Sequence, residues 1–131
     1  MISTKGRYGL RVMLDLARNA GDDYITLRQI SERQGISKKY LEIIIKKLAD
    51  GHLVQSLPGK GGGYRLSRAP EDYTVGEILE WMEDTLAPGA CLTAEASRGP
   101  RADTCITLPL WSEFNTLVHD FFYGKRLSDL L

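Results

Sequence analysis

Residues 36–66 read ISKKYLEIIIKKLADGHLVQSLPGKGGGYRL, and this stretch decides the fold. Ser37 is placed to cap a helix whose inward face is Leu41, Ile44, Ile45 and Leu48, the i, i+3, i+4, i+7 spacing of an amphipathic helix. Gly51 closes it. The same helix carries Lys38, Lys39, Lys46 and Lys47. Leu53–Leu57 and Tyr64–Arg68 read as two short strands, and PGKGGG between them is too rich in glycine for anything but a hairpin loop. A lysine-bearing helix followed by a glycine-rich hairpin outlines a winged helix-turn-helix, whose second helix is shaped to enter a DNA major groove.

Working outward, Leu10, Met13, Leu14 and Ala17 predict a first helix from about Lys5 to Asn19. Thr26 and Gln29 have capping-box spacing at the head of a second helix, which ends at Gly35. Thr74 and Glu77 repeat that spacing before Val75, Ile78, Leu79 and Met82, a fourth helix running to about Asp84. Residues 86–105 hold both cysteines, two prolines and two glycines without periodicity, and read as a loop. A last helix should begin near Leu108 or Pro109 and end at Gly124. The expected architecture is mainly α with a small β-hairpin wing. Residues 1–84 form the winged helix-turn-helix, 85–107 a regulatory loop, and 108–131 a C-terminal helix and tail.

The composition, 43% hydrophobic and 26% charged over 131 residues, is that of a globular domain. A net charge of zero hides an asymmetry. Residues 1–68 hold 13 Lys and Arg against 6 Asp and Glu, and residues 69–131 hold 4 against 11. The basic half can neutralise phosphates and the acidic half is kept off a duplex. No apolar run is long enough to span a membrane, and MISTKGRYGL lacks the apolar core of a secretory signal. Two cysteines make no disulfide framework, so a reducing cytoplasm is expected. Neither a catalytic constellation nor a CxxC or HExxH motif is present, which argues against an enzyme.

The residues placed to meet double-stranded DNA are Ser37, Lys38, Lys39, Tyr40 and Glu42, with Ile43 one step on and Lys46 a turn further along. The lysines suit phosphates or guanine acceptors. Glu42 has two readings: it accepts from a cytosine amine, or it is an i, i+4 partner to Lys38 and Lys46 on an exposed face. Lys47 is expected to turn away from the groove. In the wing, Lys60 and the amides of Gly61 and Gly62 can approach a phosphate closely, because no side chain intervenes. A nucleotide-binding loop is the rival for that turn, but GKGGGY lacks the Lys-Ser/Thr pair and opens no helix. A basic face that meets an acidic protein partner is the alternative reading of the whole module.

Leu110, Trp111, Phe114, Leu117, Val118, Phe121 and Phe122 make the last helix more apolar than one core contact needs. The 4-3-4 spacing of Leu110, Phe114, Leu117 and Phe121 suits a helix–helix seam. The expected interface of a homodimer is therefore Leu110, Trp111, Phe114, Leu117, Val118 and Phe121. Two-fold symmetry in turn suits a palindromic operator.

ISTKGRYGLRVMLDLA, ISERQGISKKYLE, GGGYRL, TVGEI, CITLPLW and the closing LSDLL, in that order, resemble the Rrf2 family of winged helix-turn-helix transcriptional regulators, the IscR, NsrR and CymR type. The likeness covers essentially the whole chain. It implies a dimer joined by the long C-terminal helix, with a sensor loop before that helix, and a base-reading role for Glu42. The wing arginine of IscR-like members aligns with Pro58, so their wing readout does not carry over.

The resemblance further implies, for many members, an iron–sulfur cluster on three cysteines of the loop. Cys91 and Cys105 match the outer two and Gly99 takes the middle place. Leu108 stands where IscR-like members have a histidine, and Tyr8 where others have an acidic ligand. Three readings stay open: a cluster on Cys91 and Cys105 with ligands from elsewhere, a Cys91–Cys105 disulfide, or a metabolite or partner protein as the signal with no cofactor, as in the CymR type.

Overall fold

Thr26 and Gln29 form the reciprocal cap that their spacing predicts. Gln29 donates its amide to the Thr26 hydroxyl at 3.2 Å and its side chain accepts from the Thr26 amide at 3.0 Å. The computed structural model describes residues 2–19, 23–83 and 106–131. The helices are α1 (Thr4–Asn19), α2 (Leu27–Gln34), α3 (Lys38–Asp50), α4 (Val75–Glu83) and α5 (Leu108–Tyr123). Short 3₁₀ turns cover Pro70–Asp72 and Leu127–Leu130. The wing pairs β1 (Val54–Leu57) with β2 (Gly63–Leu66), antiparallel, with Val54 opposite Leu66 and Leu57 opposite Gly63.

α2 stops at Gly35, whose φ of 67° is the left-handed conformation that glycine adopts without a steric penalty. Ser37 then accepts from the Tyr40 amide at 3.2 Å and starts α3. Leu41, Ile44, Ile45 and Leu48 are buried, as their spacing predicts. At the head of α4, Thr74 accepts from the Glu77 amide at 3.1 Å, while the Glu77 carboxylate is paired with Arg68.

α1 departs from its expected single stripe. Val12, Met13 and Leu16 are its deepest apolar residues, with Leu10, Leu14 and Ala17 at the margins. The helix is wrapped by α2, α3, α4 and β2, so more than one face is inside. Asp15 is consequently buried as well.

Three long-range features join the elements. Ile25 forms a one-residue third strand of the wing sheet, exchanging hydrogen bonds of 2.8 and 2.7 Å with Tyr64. Gly63 makes that approach feasible: it sits at φ 149°, and a Cβ there would lie 2.3 Å from the Ile25 carbonyl oxygen. Tyr73, with no exposed surface, donates its hydroxyl to the Leu53 carbonyl at 2.6 Å and accepts from the amides of Ser67 at 2.9 Å and Arg68 at 3.1 Å. The tail after α5 turns back: Val75 donates to the Lys125 carbonyl at 2.8 Å, Leu127 donates to the Tyr73 carbonyl at 3.1 Å, and the Leu127 side chain is fully buried.

α5 packs on α4 through Val118, Phe122 and Tyr123, which meet Val75 and Leu79. The Tyr123 hydroxyl bonds to Glu80; burial first, then that hydrogen bond, pushes the phenol up to about 12. No described helix is long and apolar enough to cross a membrane. Residues 84–105, with Cys91, Gly99 and Cys105 and nearly all of the expected regulatory loop, lie outside the described residues.

Candidate nucleic-acid interface

Burial of Leu41, Ile44, Ile45 and Leu48 forces the opposite face of α3 outward. Lys38, Lys39, Glu42, Ile43 and Lys46 are all exposed. Tyr40 is half-buried, its ring 5.7 Å from that of Tyr8 on α1, so it braces the helix start as much as it faces solvent. Lys46 pairs with Asp50 at 3.2 Å, with both side chains largely exposed, a pair that contributes little in water. Glu42 makes no ion pair among the described residues, so the intrahelical partnership with Lys46 is not formed. An exposed carboxylate between lysines, without a bonded partner, keeps its lone pairs available for a base amine.

Lys47 turns away, as expected. Its ammonium lies 5.7 Å from the Trp81 ring, and its carbonyl accepts from the Trp81 indole N–H at 2.6 Å. That contact fixes the last turn of α3 against α4.

The turn leading into α3 is held from behind by a buried carboxylate. Asp15 accepts from Arg33 Nη2 at 2.8 Å, Arg33 Nε at 3.0 Å and Gln34 Nε2 at 2.9 Å. The hydrogen bond to Asp15 holds the Arg33 guanidinium above its ordinary pKa. Arg11 donates to the Gln34 side-chain oxygen at 3.1 Å and also to the Gln34 carbonyl. The fork of Arg33 gripping one carboxylate gives a defined orientation, so α2 and the turn at Gly35 are set against α1. Asp15 escaped the sequence reading because it sits between Leu14 and Leu16 with no local mark of burial.

At the wing tip Lys60 and Gly61 are exposed. Gly62 differs from expectation: it is buried, and its amide donates to the Gly59 carbonyl at 3.1 Å within the turn. The tip therefore offers the Lys60 ammonium and the open side of Gly61, and Gly62 serves the turn itself. In α5, Leu110, Trp111, Phe114, Leu117 and Phe121 are exposed. Val118 departs from that set, because its side chain is used against Val75 and Leu79 of the same chain.

A three-helix core, a hairpin wing and a presented basic helix define a winged helix-turn-helix DNA-binding module. Its kinship is narrower than that. The Rrf2 family profile, described as an iron-dependent transcriptional regulator, matches residues 2–131. The HTH-type transcriptional regulator IscR of Aliivibrio salmonicida is 36% identical over 130 residues, covering 99% of this chain and 76% of the relative. Among solved structures, CymR (YrzC), the global cysteine regulator of B. subtilis, superposes with a TM-score of 0.79 at 32% identity, covering 99% of this chain and 95% of that one. T. potens IscR gives 0.77 at 33% identity, covering 99% and 85%. The chain belongs to the Rrf2 family of transcriptional regulators, and so to DNA-binding regulators and not to enzymes.

Thiolates alone do not complete the usual four-ligand complement of a cluster within one chain. The whole chain has two cysteines. Leu108 opens α5 with no donor atom, and Tyr8 is a half-buried phenol packed on Tyr40 with the Arg11 guanidinium 5.0 Å from its ring. Among the described residues there is no group of three or more His, Cys, Asp or Glu able to hold a metal ion.

Proposed function

We propose that this regulator acts in the cytoplasm as a homodimeric repressor that occupies a two-fold-symmetric operator and is released by a signal entering through residues 85–107. The observation that carries the reading is the exposed α3 stripe, where three lysines flank an unpaired Glu42. Lysines supply affinity and register, since each phosphate neutralised releases counterions. Glu42 supplies preference, because a carboxylate is tolerated at DNA where it accepts from cytosine N4. Ser37 and Tyr40 set the helix start, and Lys60 with Gly61 reaches the flanking backbone from the wing. The exposed apolar face of α5 supports dimerisation.

The test is a salt titration of binding to a selected operator and to random duplex. Lys39→Ala should weaken binding to both and lower the salt slope by about 1. Glu42→Ala should leave the slope unchanged and reduce discrimination at one base pair by about tenfold. An unaltered base preference in Glu42→Ala removes that residue from readout.

The regulatory part of the reading rests on chain order, since both cysteines lie between α4 and α5. The cysteine pair is the first candidate for receiving the signal. Cys91→Ser/Cys105→Ser should make operator binding insensitive to oxidation and reduction and to iron loading. If that double variant and the parent respond alike under all three conditions, a metabolite or partner protein is the signal.

A further inference from the structure

Lys39, Glu42, Ile43 and Lys46 stand at i, i+3, i+4 and i+7, so they form one stripe along the outer face of α3, opposite the buried Leu41, Ile44, Ile45 and Leu48. Ile43 is the odd member. It is 55% exposed, on a helix that otherwise buries its isoleucines. A lone isoleucine among lysines and a glutamate is no apolar patch, so it does not suit an apolar protein surface. It does suit the floor of a DNA major groove. There the lysines meet phosphates and acceptors, and the one apolar feature that a base pair presents is the thymine 5-methyl. A β-branched side chain is held near one rotamer in a helix, so docking it on a methyl orders little that was free.

We propose that Ile43 is a specificity residue that packs on a thymine methyl group, next to the base pair that Glu42 contacts. The inference rests on the DNA-binding reading of α3 and adds a second base class to it. The stripe then discriminates by two unlike chemistries: a carboxylate for a cytosine amine and an aliphatic side chain for a thymine methyl.

The experiment uses the full chain and duplexes selected by it from a random library. Each thymine of the selected duplex is replaced in turn by deoxyuridine, which keeps the pairing and removes only the methyl. One position in each half-site should show binding weakened by about fourfold, the effect of withdrawing one buried methyl group. Ile43→Ala should bind the thymine duplex more weakly and no longer distinguish thymine from deoxyuridine there, with the salt slope unchanged. Because Ile43 is exposed, circular dichroism should show the variant folded; Ile43→Gln provides a second, helix-compatible replacement with the same expected loss. The proposal is overturned if the selected duplex binds tightly but no thymine can be told from deoxyuridine, or if the discrimination persists in Ile43→Ala. A chain that enriches no duplex at all, with weak binding indifferent to sequence, overturns the DNA reading itself.

Discussion

Phe114→Asp/Leu117→Asp should convert the protein to a monomer and reduce affinity for a two-fold operator by about a hundredfold, the avidity lost when two half-sites are no longer engaged together. Both side chains lie on the open face of α5, Phe114 38% and Leu117 62% exposed, and neither belongs to the core clusters of the described residues; Phe114 meets only the ring of its helix neighbour Trp111, edge-on at 6.4 Å, among the described aromatic contacts. Two carboxylates facing their symmetry mates across an apolar seam would be desolvated without partners, which is far costlier than the lost contacts alone. Helix content and single-site salt dependence should be retained. Val118→Asp makes the contrast, because Val118 packs on Val75 and Leu79 within the chain and its loss should show in thermal stability. Sedimentation and operator titration measure both effects. A double variant that stays dimeric, or binds as the parent does, sinks the α5 interface.

Tyr73→Phe should cost about 3 kcal/mol of folding stability, since three backbone groups lose a partner around a fully buried ring. Phenylalanine keeps the packing and the stacking under Arg68, whose guanidinium lies 4.2 Å from the ring centre. Only the hydroxyl is removed. Ser67 already approaches the Leu53 carbonyl at 3.4 Å and can satisfy part of it, which leaves the Arg68 amide the most exposed to the loss. For a domain of this size the change corresponds to a fall in Tm of about 10 °C. Differential scanning calorimetry reads it directly; a Tm within a degree or two of the parent would mean that water or a backbone shift replaces the hydroxyl.

The parts of this fold that were legible in sequence are those with local causes. Thr26 with Gln29, Gly35, and Ser37 each act within four residues, and each does in space what its spacing predicts. The spacing of Leu41, Ile44, Ile45 and Leu48 also gave the face that α3 presents, and hence the candidate DNA contacts. What escaped has partners far along the chain. A single residue such as Ile25 has no alternation to announce a strand, and its partner Tyr64 is on the far side of α3. Tyr73 and Leu127 look unremarkable until the tail folds back on the start of α4. Gly62 was misplaced for a related reason: composition marks a turn, but only geometry tells which glycine closes it and which faces out.

Consecutive residues of α4 hold two different helices: Glu80 bonds to Tyr123 on α5, and Trp81 bonds to the Lys47 carbonyl on α3. Neighbouring positions on a helix point in different directions while their Cα atoms are only about 3.8 Å apart. Between the helix that would join two subunits and the helix that would meet DNA there is thus no lever arm. A displacement of α5 by about 1 Å, the scale of helix shifts at subunit interfaces, would be handed to the end of α3 at its own size. Control through such a joint would work by translating a rigid part, and its sensitivity would come from how steeply groove contacts depend on position.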